Sequence, residues 1–250
     1  MARISLEGVS AAALAKRWGA PQCGYFRQLP STLDAIHDLA DQGAPAGTVV
    51  LAEEQTAGRG RDGRTWRSPA GGVWLGLLLR PTHAELGVLS IRAGLVVADV
   101  ADELLRRPQA QLKWPNDVVV GERKLAGILC EGRWSGETLQ WLALGIGINV
   151  ANAIPPELAD RAVALTELAP EVQRLHVLDA LVPALLRLTP QGAQLSEGEL
   201  AAFAARDWLR GRQLRRPLYG RASGLRPDGA LLVDTGPATA GVREGHVELA

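Results

Sequence analysis

The sequence predicts an α+β protein with a mixed, mainly antiparallel sheet, flanking helices and a small C-terminal β-barrel. Two observations predict this fold class. As far as about residue 205, apolar strand-like runs alternate with helical periodicity, and short turns join several of the runs, which favours antiparallel neighbours. Beyond that point glycines become frequent and only short β-like pieces remain, as in small all-β modules. The predicted domains are therefore 1–205 and 206–250.

Helices are predicted where apolar residues recur at spacings of three and four. The second of them is expected to begin at Ser31 or Thr32, whose side chains suit an N-cap, and to end at Gly43, which suits a C-cap. Capping is the simplest role for this Ser-Thr pair. The predicted helical segments are 10–18, 33–42, 90–107, 155–188 and 196–208.

Strands are predicted where short apolar runs stand between turn signals. The helices are expected to cover one face of the sheet that these strands form. The predicted strands of the first domain are 24–29, 48–54, 72–80, 111–114, 118–120, 124–131 and 138–145, and residues 231–233 are the clearest strand of the second.

Composition and charge exclude several classes of protein. The chain has 27 basic and 27 acidic residues, so it lacks the broad positive surface of a duplex-binding protein. Cys23 and Cys130 are far apart and in no CxxC motif, which argues against a disulfide framework or a zinc site. The N-terminus lacks the apolar core of a signal peptide, and no apolar run is long enough to span a membrane. We therefore expect a cytoplasmic protein with no DNA or membrane partner.

A loop rich in glycine and arginine is the most unusual segment of the sequence. Residues 55–69, Gln-Thr-Ala-Gly-Arg-Gly-Arg-Asp-Gly-Arg-Thr-Trp-Arg-Ser-Pro, lie between two predicted strands. Glycines let the backbone approach a ligand closely, and arginines present cationic hydrogen-bond donors. The loop therefore suits an anion, and phosphate, carboxylate and nucleic acid all qualify.

Lysine is rare in this chain, and two of its three lysines fall in compact polar motifs. Lys113 opens Lys-Trp-Pro-Asn-Asp at residues 113–117, a rigid exit from a strand, and Lys124 precedes the apolar stretch 125–129. Because a lysine is a compact point charge that arginine does not reproduce, we interpret both lysines as retained for chemistry. The alternatives are chance placement, a Pro-Asn-Asp turn, and a lysine at a strand end beside a bulge.

A fourth motif, Gly-Ile-Gly-Ile-Asn at residues 145–149, follows an apolar strand. It lacks the spacing of a dinucleotide-binding loop and the lysine of a P-loop, and Asn149 is also suited to closing a turn. Together the four segments predict cationic groups beside polar strand ends. Such a site suits a reaction between a carboxylate and a phosphate, whose developing charge must be stabilised and whose product must be shielded from water.

In this order and spacing, segments 58–66, 113–117, 124–129 and 145–149 closely resemble those of biotin protein ligases (biotin–[acetyl-CoA-carboxylase] ligases). The resemblance implies a catalytic domain related in fold to class II aminoacyl-tRNA synthetases, followed by a β-barrel. It also implies two steps: biotin and Mg-ATP give biotinyl-5′-AMP and pyrophosphate, and a lysine of a biotin carboxyl carrier domain then attacks the adenylate. Since only about 30 residues precede Ser31, the N-terminal DNA-binding domain of the repressor members is expected to be missing.

The resemblance also implies roles for individual residues. The expected biotin-binding residues are Ser31, Thr32, Gln55, Gly58, Arg59, Lys124 and Gly127. The expected residues for ATP and the adenylate are Arg61, Arg64, Trp66, Lys113, Asn116 and Asn149, with Trp66 stacked on adenine and Arg59 also facing phosphate. The expected catalytic residues are Lys124, Arg59, Arg61, Lys113 and Asp117. Asp117 is also the expected metal ligand and, as a hypothesis, the group that deprotonates the acceptor lysine.

The implied substrates are ATP and biotin with Mg²⁺, the implied partner is the carrier protein or domain of acetyl-CoA carboxylase, and a monomer or weak homodimer is expected. Two residues depart from the family: Leu33 stands where asparagine is usual, and Asp62 adds an acid to a commonly basic or neutral loop. A lipoate-type ligase is the nearest alternative in chemistry. The alternative from another class is a non-catalytic module for phosphate or single-stranded nucleic acid, with Trp66 or Trp114 stacked on bases.

Overall fold

A seven-stranded mixed sheet forms the centre of the structure, a computed structural model that describes residues 5–81, 84–188 and 192–250. A short hairpin of β1 (Ser5–Leu6) and β2 (Val9–Ser10) precedes it. The strands of the sheet are β3 (Cys23–Leu29), β4 (Val49–Gln55), β5 (Val73–Leu79), β6 (Ala110–Lys113), β7 (Asp117–Val120), β8 (Arg123–Ser135) and β9 (Thr138–Ile148). Their spatial order is β3-β4-β5-β9-β8-β7-β6.

Strand directions follow from the connections between the strands. A helix joins β3 to β4, and this crossover makes the two strands parallel. The other neighbouring pairs of the sheet are antiparallel, several of them joined by tight turns. The predicted mixed, mainly antiparallel sheet is confirmed.

The helices are α1 (Ala11–Trp18), α2 (Thr32–Asp41), α3 (Leu86–Leu105), α4 (Leu165–Leu168), α5 (Arg174–Leu186) and α6 (Glu197–Arg206). As predicted, the Ser31 hydroxyl caps α2, where it accepts a hydrogen bond from the Leu33 amide. The prediction of helix across 155–188 is wrong in extent, because a 3-10 turn, the short α4 and a break separate α5 from residue 155. Pro170 lies in that break, where it removes a backbone donor and disfavours helix in the residue before it. No helix within the described ranges is long and apolar enough to cross a membrane.

Helices cover both faces of the sheet, which corrects the expectation of one covered face. Val49 and Leu51 of β4 pack in the large core with α1, α3 and α5, whereas Val50 between them packs in a second core with α2. Successive side chains of a strand point to opposite faces, so a strand buried on both sides shows a continuous apolar run. The apolar runs of β4 and β5 therefore already indicated two covered faces.

Glycines let α2 approach its face of the sheet closely. A Cβ atom on Gly76 would lie 2.9 Å from the Thr32 carbonyl oxygen, and one on Gly145 would lie 3.0 Å from the Leu33 side chain. Since real Cβ contacts are rarely so short, larger residues at these positions would push the start of α2 away from the strands. Gly127 and Gly147 pair with each other across β8 and β9, on the same face as Gly145.

A five-stranded antiparallel sheet follows the last helix. It consists of β10 (Gln213–Arg216), β11 (Gly220–Leu225), β12 (Leu231–Asp234), β13 (Thr239–Val242) and β14 (Glu248–Leu249), in the order β13-β12-β11-β10-β14. The Trp208 amide donates to the Leu112 carbonyl (3.0 Å) and the Trp114 indole donates to the Gly229 carbonyl (2.9 Å). These bonds join residues 208–250, called here the C-terminal module, to the edge of the seven-stranded sheet. The domain boundary at residue 206 stays a prediction.

Candidate active site

The predicted site residues line two adjoining cavities. The first cavity, of about 190 Å³, is lined by Ser31, Thr32, Gln55, Arg59, Arg61, Arg64, Trp66, Lys113, Asn116, Asp117, Lys124 and Gly127. The second cavity, of about 1000 Å³, is lined by Gly58 and Asn149. Four residues line both cavities and form the wall between them: Gln55, Thr65, Trp66 and Lys124. The fold thus brings the four sequence motifs to one place.

The glycine- and arginine-rich loop is an ordered hairpin. The Trp66 amide donates to the Gly58 carbonyl (2.9 Å), and the Gly60 amide donates to the Arg64 carbonyl (2.8 Å). A Cβ atom on Gly58 would lie 2.5 Å from the Trp66 carbonyl oxygen, so this glycine is needed for the two arms to meet. We call residues 58–60 the first arm and residues 61–64 the tip of this hairpin.

Polar side chains at one end of the first cavity hold one another in place. Gln55 Oε1 accepts hydrogen bonds from the Thr32 amide (2.8 Å) and the Thr32 hydroxyl (3.2 Å). Gln55 Nε2 donates to the Ser68 hydroxyl (2.7 Å), and Ser31 and Thr32 are buried. Because these groups are neutral and already oriented, this end of the cavity suits a neutral polar head group.

Arg59, in the first arm, is bound to two carboxylates. Its Nε and Nη2 donate to the two oxygens of Glu131 at 2.7 and 2.8 Å, and its Nη1 donates to Asp34 at 2.8 Å. Burial alone would raise the pKa of Glu131, but hydrogen bonds from Arg59 and His37 outweigh it and lower the pKa to about 2. The charge of Arg59 is therefore fully offset by its two carboxylate partners, unlike that of the phosphate-facing arginine that the resemblance implied.

A second layer supports the Arg59–Glu131 pair. The Trp141 indole donates to Nδ1 of His37 at 3.0 Å, so this nitrogen is an acceptor and the ring proton lies on Nε2. His37 Nε2 is 3.1 Å from Glu131 Oε2 and donates to it. Sequence reasoning missed Glu131, although its place on a strand two residues after the Lys-Leu-Ala-Gly-Ile-Leu motif was a usable signal.

The tip of the hairpin explains Asp62. This residue has φ 58° and ψ 32°, and Gly63 next to it has φ 69°. Aspartate tolerates this left-handed conformation better than most residues, so Asp62 forms the turn with its side chain exposed. Among the residues that the structure describes, no carboxylate lies within ion-pair distance of Arg61 or Arg64.

Lys124 is held at the wall between the cavities. Its Nζ lies 2.6 Å from Asp117 Oδ1 and 4.8 Å from the centre of the Trp66 ring. Asp117 reaches it because β7 and β8 pair Asp117 with Gly127, with an irregularity in register between Val118 and Val119. The lysine is therefore held by a carboxylate and an aromatic ring and lies at the junction of the two cavities.

Trp66 lies flat against two glycines of the sheet. A Cβ atom on Gly147 would lie 2.6 Å from the Trp66 indole nitrogen, and one on Gly127 would lie 3.0 Å from the ring. Gly127, predicted to admit a ligand, here admits the tryptophan. The indole N–H is buried and lacks a hydrogen-bond partner among the described residues. Buried polar groups are normally satisfied, so this indole N–H is an exception in the wall between the cavities.

Lys113 is half-buried on the other side of the first cavity. Its Nζ lies 4.8 Å from the centre of the Trp208 ring, and Arg212 stacks on the same ring at 3.8 Å. Burial lowers the pKa of Lys113, an effect that the charge of Asp117 partly offsets. A cation–π contact orients the ammonium without neutralising it.

The two predicted asparagines make hydrogen bonds within the protein. Asn116 Nδ2 donates to the Ile128 carbonyl (2.7 Å), which fixes the polar turn before β7 against β8. Asn149 Oδ1 accepts from Asn152 Nδ2 (3.1 Å) in the wall of the second cavity. Asn149 therefore lies apart from the first cavity, although the nearby Trp66 borders both.

The described residues do not form a cage for a resident metal ion. No group of three or more His, Cys, Asp or Glu side chains within the described ranges is placed to hold one. Asp117, the predicted ligand, is paired with Lys124. Mg²⁺ is usually held by one or two carboxylates together with substrate phosphates, so this site fits a metal that arrives with a nucleotide. The role of Asp117 as a metal ligand stays a prediction.

The two ends of the site differ in charge. Ser31, Thr32 and Gln55 provide a neutral polar end, and Arg61, Arg64 and Lys113 provide a cationic end. Lys124 stands at the border of the two cavities. A ligand with a neutral head group and a carboxylate, placed beside a polyphosphate, matches this arrangement.

Comparison with known proteins agrees with this chemistry. Residues 25–149 match the family described as biotin/lipoate A/B protein ligases. The chain is 33% identical over 240 residues to the bifunctional ligase/repressor BirA of Bacillus subtilis, covering 90% of this chain and 73% of that protein. It is 36% identical over 214 residues to the biotin–[acetyl-CoA-carboxylase] ligase of Paracoccus denitrificans, covering 78% and 87% respectively.

A solved structure has the same fold. The chain is similar to biotin protein ligase from Aquifex aeolicus in complex with biotin and ATP, with a TM-score of 0.75 and 29% sequence identity. The match covers 92% of this chain and 99% of that one. It confirms the predicted fold class, including the antiparallel strands at the C-terminus.

Proposed function

The chain belongs to the biotin/lipoate A/B protein ligase family, and we propose that it joins biotin, at the expense of ATP, to a lysine of a biotin carboxyl carrier domain. In the first step a carboxylate oxygen of biotin attacks the α-phosphorus of ATP, and pyrophosphate leaves. In the second step the acceptor amine attacks the carbonyl carbon of biotinyl-5′-AMP. The amine loses a proton, AMP leaves, and an amide forms.

The single observation that carries the proposal is the meeting of the neutral and cationic ends of the site at Lys124. Biotin has a neutral polar ring system and a carboxylate, and ATP is a polyanion. With the ring system at Gln55 and Thr32, the biotin carboxylate points towards Lys124. The carboxylate and the α-phosphate repel each other, and a lysine between them stabilises their approach and the charge that develops.

The cationic side chains are assigned to the nucleotide. Arg61, Arg64 and Lys113 have no carboxylate partner at ion-pair distance among the described residues, so they retain charge for the phosphates. Trp66, which lines both cavities, is assigned to the adenine, together with Asn149 in the second cavity. Arg59, whose charge is already balanced, is assigned to the biotin end.

Asp117 keeps two proposed roles that depend on its pairing with Lys124. When a phosphate attracts Lys124, the carboxylate is released. It is then free to contact the Mg²⁺ that enters with ATP, or to accept a proton from the acceptor lysine. The same carboxylate can serve in both roles because they belong to different steps of the reaction.

The proposed partner is the biotin carrier protein or domain of acetyl-CoA carboxylase, in line with the name of the Paracoccus relative. The proposed compartment is the cytoplasm, because Cys23 and Cys130 are both free thiols. The proposed assembly is a monomer or weak homodimer.

Pyrophosphate exchange into ATP tests the function. We expect exchange with biotin, no exchange without it, and little exchange with lipoate. A carrier domain added with biotin and ATP should gain one biotinyl group, and its Lys→Arg variant should gain none. Exchange with lipoate in place of biotin would assign the chain to lipoate ligation, and exchange with neither acid would exclude both reactions.

A further inference from the structure

The C-terminal module contributes three residues to the wall of the first cavity. Gly245, His246 and Val247 lie between β13 and β14 and line this cavity together with Arg64 and Lys113. Gly245 has φ 133°, a conformation that favours glycine, and turns the chain directly before the histidine. An imidazole from the second sheet therefore faces the cationic end of the site.

His246 is hydrogen-bonded to the tip of the loop hairpin. Its Nδ1 lies 3.1 Å from Nη1 of Arg64. A guanidinium is always a donor, so Nδ1 is the acceptor and any ring proton lies on Nε2. The contact therefore requires a neutral imidazole, because a protonated histidine has no acceptor and repels an arginine.

The charges around His246 favour the neutral form. His246 is largely exposed, but its partial desolvation and the adjacent charge of Arg64 lower its pKa, and Lys113 on β6 acts in the same direction. Asp117 on β7 and Glu248 on β14 oppose these effects and do not overcome them. The imidazole is thus an acceptor at neutral pH, since even an unperturbed histidine has a pKa of about 6.5.

A neutral acceptor does something that a carboxylate does not. Glu131 and Asp34 orient Arg59 but also balance its charge. His246 orients Arg64 and leaves its positive charge intact. An oriented and uncompensated guanidinium is the group that best stabilises a phosphate, because no reorganisation is needed when the charge develops.

We propose that His246 is a positioning residue that holds Arg64 over the first cavity, so that the C-terminal module takes part in retaining the acyl-adenylate. This inference rests on the proposed function and extends it to a residue that is about 180 positions from its partner in sequence. It also gives the docking of the module against β6 a function, because this docking brings His246 within hydrogen-bond distance of Arg64.

Two substitutions separate the acceptor from the rest of the imidazole. His246→Leu removes the acceptor, and His246→Asn keeps one, since the asparagine Oδ1 takes about the place of Nδ1. We expect release of biotinyl-5′-AMP from the leucine variant to be about tenfold faster, as for loss of one hydrogen bond to a charged group, and KM for ATP to rise. KM for biotin should not change. The asparagine variant should stay within about threefold of the wild type.

The pH dependence of adenylate release distinguishes this role from a merely structural one, which would not change it. As pH falls below the lowered pKa of His246, the imidazole gains a proton, loses its acceptor and repels Arg64. Release of the adenylate by the wild type should therefore accelerate in this acidic range. His246→Asn cannot titrate, so its release rate should show no such increase, whereas a pH profile identical to that of the wild type would contradict the proposal.

A double-mutant cycle tests whether His246 acts through Arg64. In an Arg64→Ala background, His246→Leu should have no further effect on release, because its partner is already gone. Arg243→Gln, which removes an exposed arginine near His246 that pairs with Asp228, is the control and should behave as the wild type. Near-UV circular dichroism checks the fold of each variant.

The outcomes distinguish this inference from the proposed function. A wild type that forms no adenylate from biotin and ATP would overturn the function. If the wild type forms and retains the adenylate, two results would overturn the role of His246. One is that His246→Leu retains the adenylate equally well, and the other is that His246→Leu accelerates release as much in the Arg64→Ala background as in the wild type. If His246→Leu does not fold, a pH dependence of release in His246→Asn that matches the wild type would also overturn this role.

Discussion

The two halves of the loop hairpin use the same residue type in opposite ways. In the first arm, Arg59 makes three hydrogen bonds to the carboxylates of Glu131 and Asp34. In the tip, Arg64 contacts a neutral imidazole, and neither it nor Arg61 has an ion-pair partner among the described residues. The arginines of such a loop are therefore not equivalent. Those paired with carboxylates stabilise the structure, and those without a carboxylate partner can bind an anionic ligand.

The structural setting of each half explains the difference. Glu131 lies on β8 and is fixed by His37 and the strand, so the first arm is joined to the sheet. The tip turns through Asp62 and Gly63, which have left-handed backbone conformations, and its two arginines have no carboxylate at ion-pair distance among the described residues. We therefore expect the first arm to govern biotin binding and stability, and the tip to govern the nucleotide and the adenylate.

The largest effect is expected where the two halves of the site meet. Lys124→Ala removes the charge at the border of both cavities, and adenylate formation should fall about 100- to 1000-fold, as when a preorganised donor to a transition state is lost. The measurement is single-turnover formation of biotinyl-5′-AMP, with thermal unfolding to check that the fold survives. Activity at the wild-type level would show that Lys124 is only a strand-end charge paired with Asp117.

A substitution in the tip should weaken retention of biotinyl-5′-AMP more than it weakens biotin binding. Arg61→Gly removes a cation that has no carboxylate partner in the described part of the chain, so biotinyl-5′-AMP should escape at least about tenfold faster while biotin affinity is nearly kept. Rapid filtration of the enzyme–adenylate complex measures the escape. Unchanged retention would remove Arg61 from this role and would weaken the distinction between tip and first arm.

A change behind the first arm should affect stability. Glu131→Gln leaves Arg59 without its bidentate carboxylate, and we expect the free energy of unfolding at pH 7 to fall by about 2 kcal/mol. Urea denaturation measures it. Glu122→Gln is the control, because Glu122 forms an exposed pair with Arg212, and its loss should cost less than about 0.5 kcal/mol.

The same pair predicts a pH dependence. The pKa of Glu131 is about 2 in the folded protein, below the value of about 4.3 for an unfolded chain. Its contribution is therefore complete above the unfolded pKa and is lost as pH falls towards the folded one. The stability difference between the wild type and Glu131→Gln should shrink between about pH 5 and pH 2. A difference that stays constant over this range would contradict the assigned pairing.

The smallest effect is expected at Asp62. Asp62→Asn keeps a residue that tolerates the left-handed turn and removes only an exposed charge, so stability should change by less than about 0.5 kcal/mol. KM for ATP should fall slightly, by less than about twofold, because one repulsive charge near the phosphates is gone. A large loss of activity would mean that the carboxylate itself is used in the reaction.

Sequence reasoning predicted the fold class and the convergence of the four motifs, because each motif carries its own local signal. Lys124 and Asp117 belong to such motifs, and the structure places them 2.6 Å apart. His246 has no local signal: its function arises only when the second sheet docks near the loop. Leu33 becomes clear in the structure too, since it packs on Gly145 in the core beneath α2, where an asparagine side chain would need a polar partner.

The remaining misses also have physical causes. The helical pattern across 155–188 did not reveal the break at Pro170. The single covered face was inferred from the order of the elements alone, without considering that the continuous apolar runs of β4 and β5 indicate burial on both faces. Gly58 and Asn149 line the second cavity, and their roles in ligand binding stay predictions. The boundary between the two cavities, formed by Gln55, Thr65, Trp66 and Lys124, is a property of packing alone.

Direct binding of biotin in the absence of ATP tests the division of the loop most simply. Isothermal titration should show that Arg59→Ala weakens biotin binding about tenfold or more. The first arm packs on Gln55, and without the Arg59 side chain it is no longer joined to Glu131 on the sheet. Arg64→Ala should bind biotin within about twofold of the wild type. Equal losses in the two variants, or a loss confined to Arg64→Ala, would contradict the account.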